Sequence, residues 1–252
     1  MQLLSKVGRY EFLAEPFHCD FGMRLFMGHL GNHLLNAADF HSNDRGYGMN
    51  ALNPIHRTWV LSRLSIEMRE MPVSYERFTV ETWVESVMRY FTNRNFSVVS
   101  HDGNVMGYGR SVWAMIDTQT RQPADIFQIN DGLISEYVET DKPCPIESCK
   151  RVRISSDTPY AGSVRTHYSD VDVKGHVNSV KYIEHMLDLW AVEWYRSHVV
   201  SRIDVAYVAE AYGGDELHFY REQESEGVFL IRTTRKSADN ESEVCRCRIV
   251  FR

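Results

Sequence analysis

Residues 168–187 read YSDVDVKGHVNSVKYIEHML. The stretch changes character at its middle. Up to Asn178 it is polar, with Asp170 and Asp172 alternating along an extended segment and Gly175 permitting a tight turn. Asn178 is a good helix N-cap, because its side-chain oxygen can accept an N–H of the first turn. Beyond it Val180, Ile183, Met186, Leu187, Trp190 and Trp194 recur at helical spacing, which predicts a helix from near Ser179 to near Tyr195. His176 therefore stands just ahead of a helix N-terminus. A carboxylate and an imidazole at such a place suit hydrolysis. The acid can activate water, and free N–H groups at the positive end of the helix can hold an oxyanion. The same residues also read without chemistry, with Asp170, Asp172 and Asn178 serving only as turn and cap.

Around this helix the chain reads as strand. VRTHY precedes it, and IDVAYVA, LHFY, VFLIRTT and VCRCRIVF follow it. The first half has the same kinds of element. A helix is expected at about 28–40, with Leu30, Leu34, Leu35 and Ala38 on one face. Strands are expected at 79–84, 94–100 and from Val105 to Ile116, and HDGN at 101–104 has the Asp-Gly of a hairpin turn. One helix with several antiparallel strands is an α+β pattern, a sheet wrapped around one hydrophobic helix. Four of the seven prolines (Pro123, Pro143, Pro145 and Pro159) lie between 123 and 159, and 140–160 has no clear period. This predicts domains at 1–140 and 161–252 joined by a linker at 141–160.

The halves also align with each other. RLSIEMREMPVSYERFTV from Arg63 matches RIDVAYVAEAYGGDELHF from Arg202 without a gap, an offset of 139 (202 − 63). Upstream, placing Asp20 over Asp170 gives an offset of 150 (170 − 20). The reading is a duplication, with a longer connection after the first helix.

Composition narrows the function. Lys plus Arg is 28 and Asp plus Glu is 34, a formal charge of −6, which argues against bulk nucleic-acid binding. No apolar run approaches the ~18–20 residues of a membrane span. The opening MQLLSKVGRYEF lacks the pattern of a secretory signal, so the expected compartment is the cytoplasm. Five cysteines do not read as a disulfide framework. Cys144, Cys149, Cys245 and Cys247 admit a zinc reading, but VCRCRIVF alternates, so Cys245 and Cys247 fit one buried strand face. His29 and His33 are spaced for a metal pair with no evident carboxylate partner, and no metal is predicted.

S-D-x-D-x-x-x-H-V-N-x-x-x-Y-I resembles the signature of the acyl-acyl carrier protein thioesterases, and TWVLSRLSIEM, FTVETWVES, GRSVWAMIDTQTRQPADI and AYVAEAYGGDEL follow in that family's order. The resemblance implies two tandem hotdog domains, each a long central helix wrapped by an antiparallel β-sheet. It implies hydrolysis of fatty acyl thioesters on acyl carrier protein in fatty acid biosynthesis, with no cofactor. The first domain would bind the acyl chain and the second would be catalytic. Carried over by position, the family's catalytic Asp, His and Glu fall on Asp172, His176 and Glu210. Lys174 occupies the place of the family's Asn, a positioning role, as Asn178 has at the helix start. Ala211 stands where plant members often have Cys. On the two offsets Asp172, His176 and Glu210 align with Gly22, Phe26 and Met71, so the first half lacks the set. The acidic carrier calls for a basic docking face, with Lys142, Lys150, Arg151 and Arg153, or Arg232, Arg235 and Lys236, as candidates. A homodimer is left open. Two other readings remain: an acyl-CoA thioesterase, and a non-catalytic acyl-binding protein, which Lys174 favours.

Overall fold

In the first half, β1 (Gly8–Leu13) leads through a loop to α1 (Met27–Asp44) and the short α2 (Met49–Leu52). Four strands follow: β2 (Arg57–Met68), β3 (Arg77–Val87), β4 (Phe91–Ser100) and β5 (Val105–Asp117). The strand order is β1-β3-β4-β5-β2, with every pairing antiparallel. The second half repeats the sequence of elements: β6 (Tyr160–Arg165), α3 (Ser179–Leu187), β7 (Val200–Tyr207), β8 (Glu216–Ser225), β9 (Val228–Ser237) and β10 (Asn240–Phe251). Its order, β6-β8-β9-β10-β7, is the same arrangement. This computed structural model describes residues 3–148, 152–237 and 240–252. Cys149, Lys150 and Arg151 lie outside the described residues. The chain divides into two compact units, Met1–Ser148 and Cys149–Arg252.

Each helix covers its sheet with the stripe that its periodicity marks. Leu30, Leu34, Ala37 and Ala38 of α1 are buried, and a Cβ at Gly109 of β5 would come within 3.3 Å of the Leu34 methyl. In the second unit Val180, Ile183 and Met186 of α3 are buried, as are Cys245, Cys247, Ile249 and Phe251 on the inner face of β10. A fully buried leucine or isoleucine at such a place contributes about 1.5–3 kcal/mol.

Several strands run a few residues beyond expectation, and three other boundaries differ for reasons the side chains show. α3 stops at Leu187, nine residues long against eighteen in α1, so among the described residues the second unit has a short helix where a long one was expected. The chain turns there because side chains take the next carbonyls: Tyr195 Oη donates to Leu187 O at 2.6 Å and Arg221 Nη1 to Leu189 O at 2.8 Å. Trp190 and Trp194 lie after the helix and pack on Phe229 and Phe251. α1 runs past residue 40 to Asp44 on buried polar residues, with His41 bonded to Lys6 O and Ser42 to Ala38 O. The strand expected at VRTHY is shifted, since Thr166 leaves the sheet to bond the carbonyls of Tyr212 and Asp215.

His33 does not pair with His29. Its ring lies against Phe12 and Phe78, while His29 stacks on His18 at 4.1 Å. Among the described residues no group of His, Cys, Asp and Glu could hold a metal ion. Among the described residues no helix is long and apolar enough to cross a membrane.

Candidate active site

Between β6 and α3 the chain folds into a small hairpin. Asn178 N–H donates to Asp170 O and Asp172 N–H to His176 O, each at 2.8 Å, and Val171 pairs antiparallel with Val177. Gly175 closes the turn at φ 83°, where glycine is the unstrained choice. Asp172 Oδ1 accepts the N–H of Lys174 at 2.8 Å and of His176 at 3.3 Å. Its carboxylate therefore holds the turn. Lys174 contributes its backbone N–H, and its side chain lies on the exposed turn. Asn178 caps α3 as its position predicts, accepting Val180 N–H at 3.2 Å.

The hairpin is fastened to the segment after β7. Val177 N–H donates to Ala211 O at 2.8 Å, and Ala211 N–H to the hydroxyl of Tyr182 on α3 at 3.1 Å. Burial pushes the Tyr182 phenol above its ordinary range, so it stays a neutral hydroxyl. Ala211 acts here entirely through its backbone. These bonds bring His176 Nε2 within 3.4 Å of Glu210 Oε2, both side chains half-buried. The ring of Tyr212 meets the His176 ring edge-on at 5.2 Å. Tyr182 stands in the quoted signature and Tyr212 in AYVAEAYGGDEL, but the sequence assigned neither a role; Tyr212 sits two residues after Glu210 and its ring meets that of His176.

The donors at this end of the helix are mostly taken. The N–H groups of His176, Asn178 and Val180 have acceptors in the hairpin or the cap, that of Val177 bonds Ala211 O after β7, and Ser179 supplies the first-turn N–H that has none among the described bonds.

The first unit contains the same hairpin without the same chemistry. Cys19 pairs with Leu25 as Val171 does with Val177, an offset of 152 (171 − 19). Leu25 N–H donates to Pro72 O as Val177 N–H does to Ala211 O, which keeps the later offset at 139 (211 − 72). The sequence alignment is thus two residues out of register at the loop. It matched Asp20 with Asp170 by identity, whereas the backbone bonding matches Asp20 with Asp172. The counterpart of His176 is Arg24, not Phe26, and that of Lys174 is Gly22. Glu210 still corresponds to Met71. Arg24 closes back on Asp20 at 3.1 Å. The first unit thus keeps the turn-holding Asp and lacks the His and the Glu.

The basic residues suggested for docking are partly engaged. Lys142 lies 2.8 Å from Glu81 and over the Trp83 ring. Arg235 lies over Tyr212 and 3.7 Å from Asp215, and Arg232 donates to Ser156 O at 3.1 Å. Arg153 and Lys236 are exposed.

Comparison with known proteins places these features in a family context. A model of the acyl-ACP thioesterase N-terminal domain matches residues 7–137, and one of the C-terminal domain matches residues 155–252. The crystal structure of an acyl-ACP thioesterase from Bacteroides thetaiotaomicron is 49% identical, covers 98% of each chain and superposes with a TM-score of 0.91. The 12:0-ACP thioesterase from Umbellularia californica shares the fold, at 20% identity and a TM-score of 0.83 over 100% of this chain and 99% of that one. The chloroplastic palmitoyl-acyl carrier protein thioesterase of Gossypium hirsutum is 28% identical over 156 residues, 60% of this chain and 38% of its own. The chloroplastic oleoyl-acyl carrier protein thioesterase 2 of Arabidopsis thaliana is 23% identical over 222 residues, 81% of this chain and 60% of its own. The chain spans less than two thirds of the length of these curated relatives.

Proposed function

The chain belongs to the acyl-ACP thioesterase family, and from that premise we propose that it hydrolyses fatty acyl thioesters carried on acyl carrier protein. The products are the free fatty acid and the carrier thiol, and the setting is fatty acid biosynthesis in the cytoplasm. Both units are read as hotdog domains, the first binding the acyl chain and the second carrying out the reaction.

The observation that carries this reading is the one-sided His176–Glu210 pair, 3.4 Å apart in the second unit, with Arg24 and Met71 at the twin positions of the first. Glu210 is the general base. It takes a proton from water as the water oxygen bonds to the thioester carbonyl carbon. The Ser179 N–H, at the positive end of α3, holds the developing oxyanion. The C–S bond then breaks, and the proton taken up by Glu210 passes through His176, 3.4 Å away, to the departing thiolate, which leaves both groups as they began. Asp172 keeps the hairpin in shape, since its oxygen is bonded to the Lys174 and His176 N–H groups. Lys174 is compatible with this. Gly22 serves the same bond in the first unit at 2.8 Å, so the loop needs a backbone N–H there and not an amide side chain.

Thiol release from a panel of acyl-acyl carrier proteins tests the reading, with the same acyl groups on CoA in parallel. Turnover on the carrier should fall at least about 10²-fold in Glu210→Gln and His176→Ala. Tight acyl binding without thiol release would overturn the enzyme reading, and equal turnover on CoA would overturn the carrier as the specific partner.

A further inference from the structure

We propose that Asp170 and His185 form a positioning pair that holds the His176 hairpin against α3; this rests on the thioesterase reading of the His176–Glu210 site. Asp170 Oδ1 lies 3.1 Å from His185 Nε2, and Oδ2 accepts the His167 N–H at 2.7 Å. Its backbone carbonyl accepts the Asn178 N–H at 2.8 Å. One residue thus joins the start of the hairpin (His167), its end (Asn178) and the second turn of the helix (His185). Both side chains are largely buried, with 8% of Asp170 and 16% of His185 accessible. A carboxylate so enclosed is stable only with its bonds made, so the pair has one arrangement rather than several.

The twin unit shows what the hairpin looks like without this pair. At the offset of 152, Asp170 corresponds to His18 and His185 to His33. The backbone bond survives, with Phe26 N–H donating to His18 O at 2.9 Å. The side-chain link does not. His18 bonds Glu15 and stacks on His29, and both ring nitrogens of His33 are buried without a partner. The Asp–His tie is therefore present in the unit that carries His176 and Glu210 and absent from the one that does not. Neither Asp170 nor His185 touches the reacting atoms in this scheme. They fix where the His176 ring meets Glu210, and a misplacement near 1 Å costs about 10²-fold in rate.

The test compares His185→Leu, His185→Gln and Asp170→Ala with wild type. It reads kcat and KM for thiol release from acyl-acyl carrier protein, and amide exchange over residues 170–178. Gln can still donate to Asp170 Oδ1, and Leu cannot. In His185→Leu and Asp170→Ala, kcat should fall about 10²-fold with KM within about twofold, since only transition-state geometry is lost. His185→Gln should stay within about fivefold of wild type. Exchange at Asn178 and His176 should quicken about tenfold in His185→Leu and not in His185→Gln. If Asp170→Ala does not fold, the two variants at 185 decide. Equal behaviour of Leu and Gln, or wild-type kcat in a folded His185→Leu, overturns the pair. A wild-type chain that releases no thiol overturns the thioesterase reading instead, and the exchange comparison still judges the pair.

Discussion

Asp172 in the second unit and Asp20 in the first hold the same turn. Asp172 Oδ1 accepts N–H groups two and four residues on, from Lys174 and His176, and Asp20 Oδ1 accepts them from Gly22 at 2.8 Å and Arg24 at 3.0 Å. The contact recurs in a loop without the His–Glu pair, so holding the turn does not depend on that pair. In the proposed reaction Glu210, and not Asp172, is accordingly the carboxylate given the proton transfer.

The substitution series at 172 follows from this. Asp172→Ala leaves two N–H groups without their acceptor and should lower kcat at least about 10²-fold through a displaced His176. Asp172→Asn keeps a side-chain oxygen for the same two bonds and should retain at least about tenfold more activity than the alanine variant. Equal loss in both, with folding intact, would show that the charge itself is needed and return Asp172 to the chemistry.

At 174 the expected result is no change. Lysine here and glycine at the twin position make the same backbone bond, so Lys174→Asn should leave kcat and the pH–rate profile within about twofold of wild type. A raised rate or a shifted acidic limb would mean that the ammonium acts on Asp172.

How much of this was legible depends on how local each feature is. Burial of one helix face leaves a direct trace at 3.6-residue spacing, and so Leu30, Leu34, Val180 and Ile183 were readable as core. The end of α3 was not, because it is set by Tyr195 and Arg221 reaching carbonyls from elsewhere in the chain. The tail of α1 was hidden because His41 and Ser42 are polar yet buried. Duplication was visible as alternating strands, but the loop register went wrong by two residues because identity put Asp170 on Asp20. What repeats is the turn held by a carboxylate, and Asp172, not Asp170, is the partner of Asp20 in it. Glu210 came from family resemblance alone. It lies 34 residues (210 − 176) from His176, and the Val177–Ala211 bond that joins them leaves no local signature.

The first unit carries a pH dependence that involves none of the site residues. Burial, with Arg94 and Arg45 nearby, pushes the His41 imidazole down to about 2 from an ordinary 6.5. The folded chain thus keeps His41 neutral where the unfolded chain protonates it. Between about pH 6.5 and about pH 2 the unfolded state binds the extra proton, so stability falls as pH falls, by about 1.4 kcal/mol per unit from this group. His41→Gln removes the titration while keeping groups for Lys6 O and the Tyr47 hydroxyl. Chemical denaturation from pH 7 down to pH 4 should show a shallower decline in the variant. Parallel curves would mean that His41 titrates normally in the fold.

Strain is stored in the first unit at two residues where the second has glycine. Met23 has φ 62° and Tyr75 φ 69°, and their counterparts are Gly175 at φ 83° and Gly214 at φ 93°. A side chain in the left-handed region costs about 1–2 kcal/mol. Both side chains are exposed, 56% for Met23 and 71% for Tyr75, so little packing offsets that cost. Met23→Gly and Tyr75→Gly should therefore each stabilise the first unit, by about 0.5–1 kcal/mol once the greater freedom of glycine in the unfolded chain is counted. The two gains should not add fully, because Ser74 N–H donates to Met23 O at 2.8 Å and couples the loops. Urea denaturation decides: a raised midpoint at constant slope is the expected result. A lowered midpoint in both variants would mean that the exposed Met23 and Tyr75 side chains stabilise the loops by more than the strain costs.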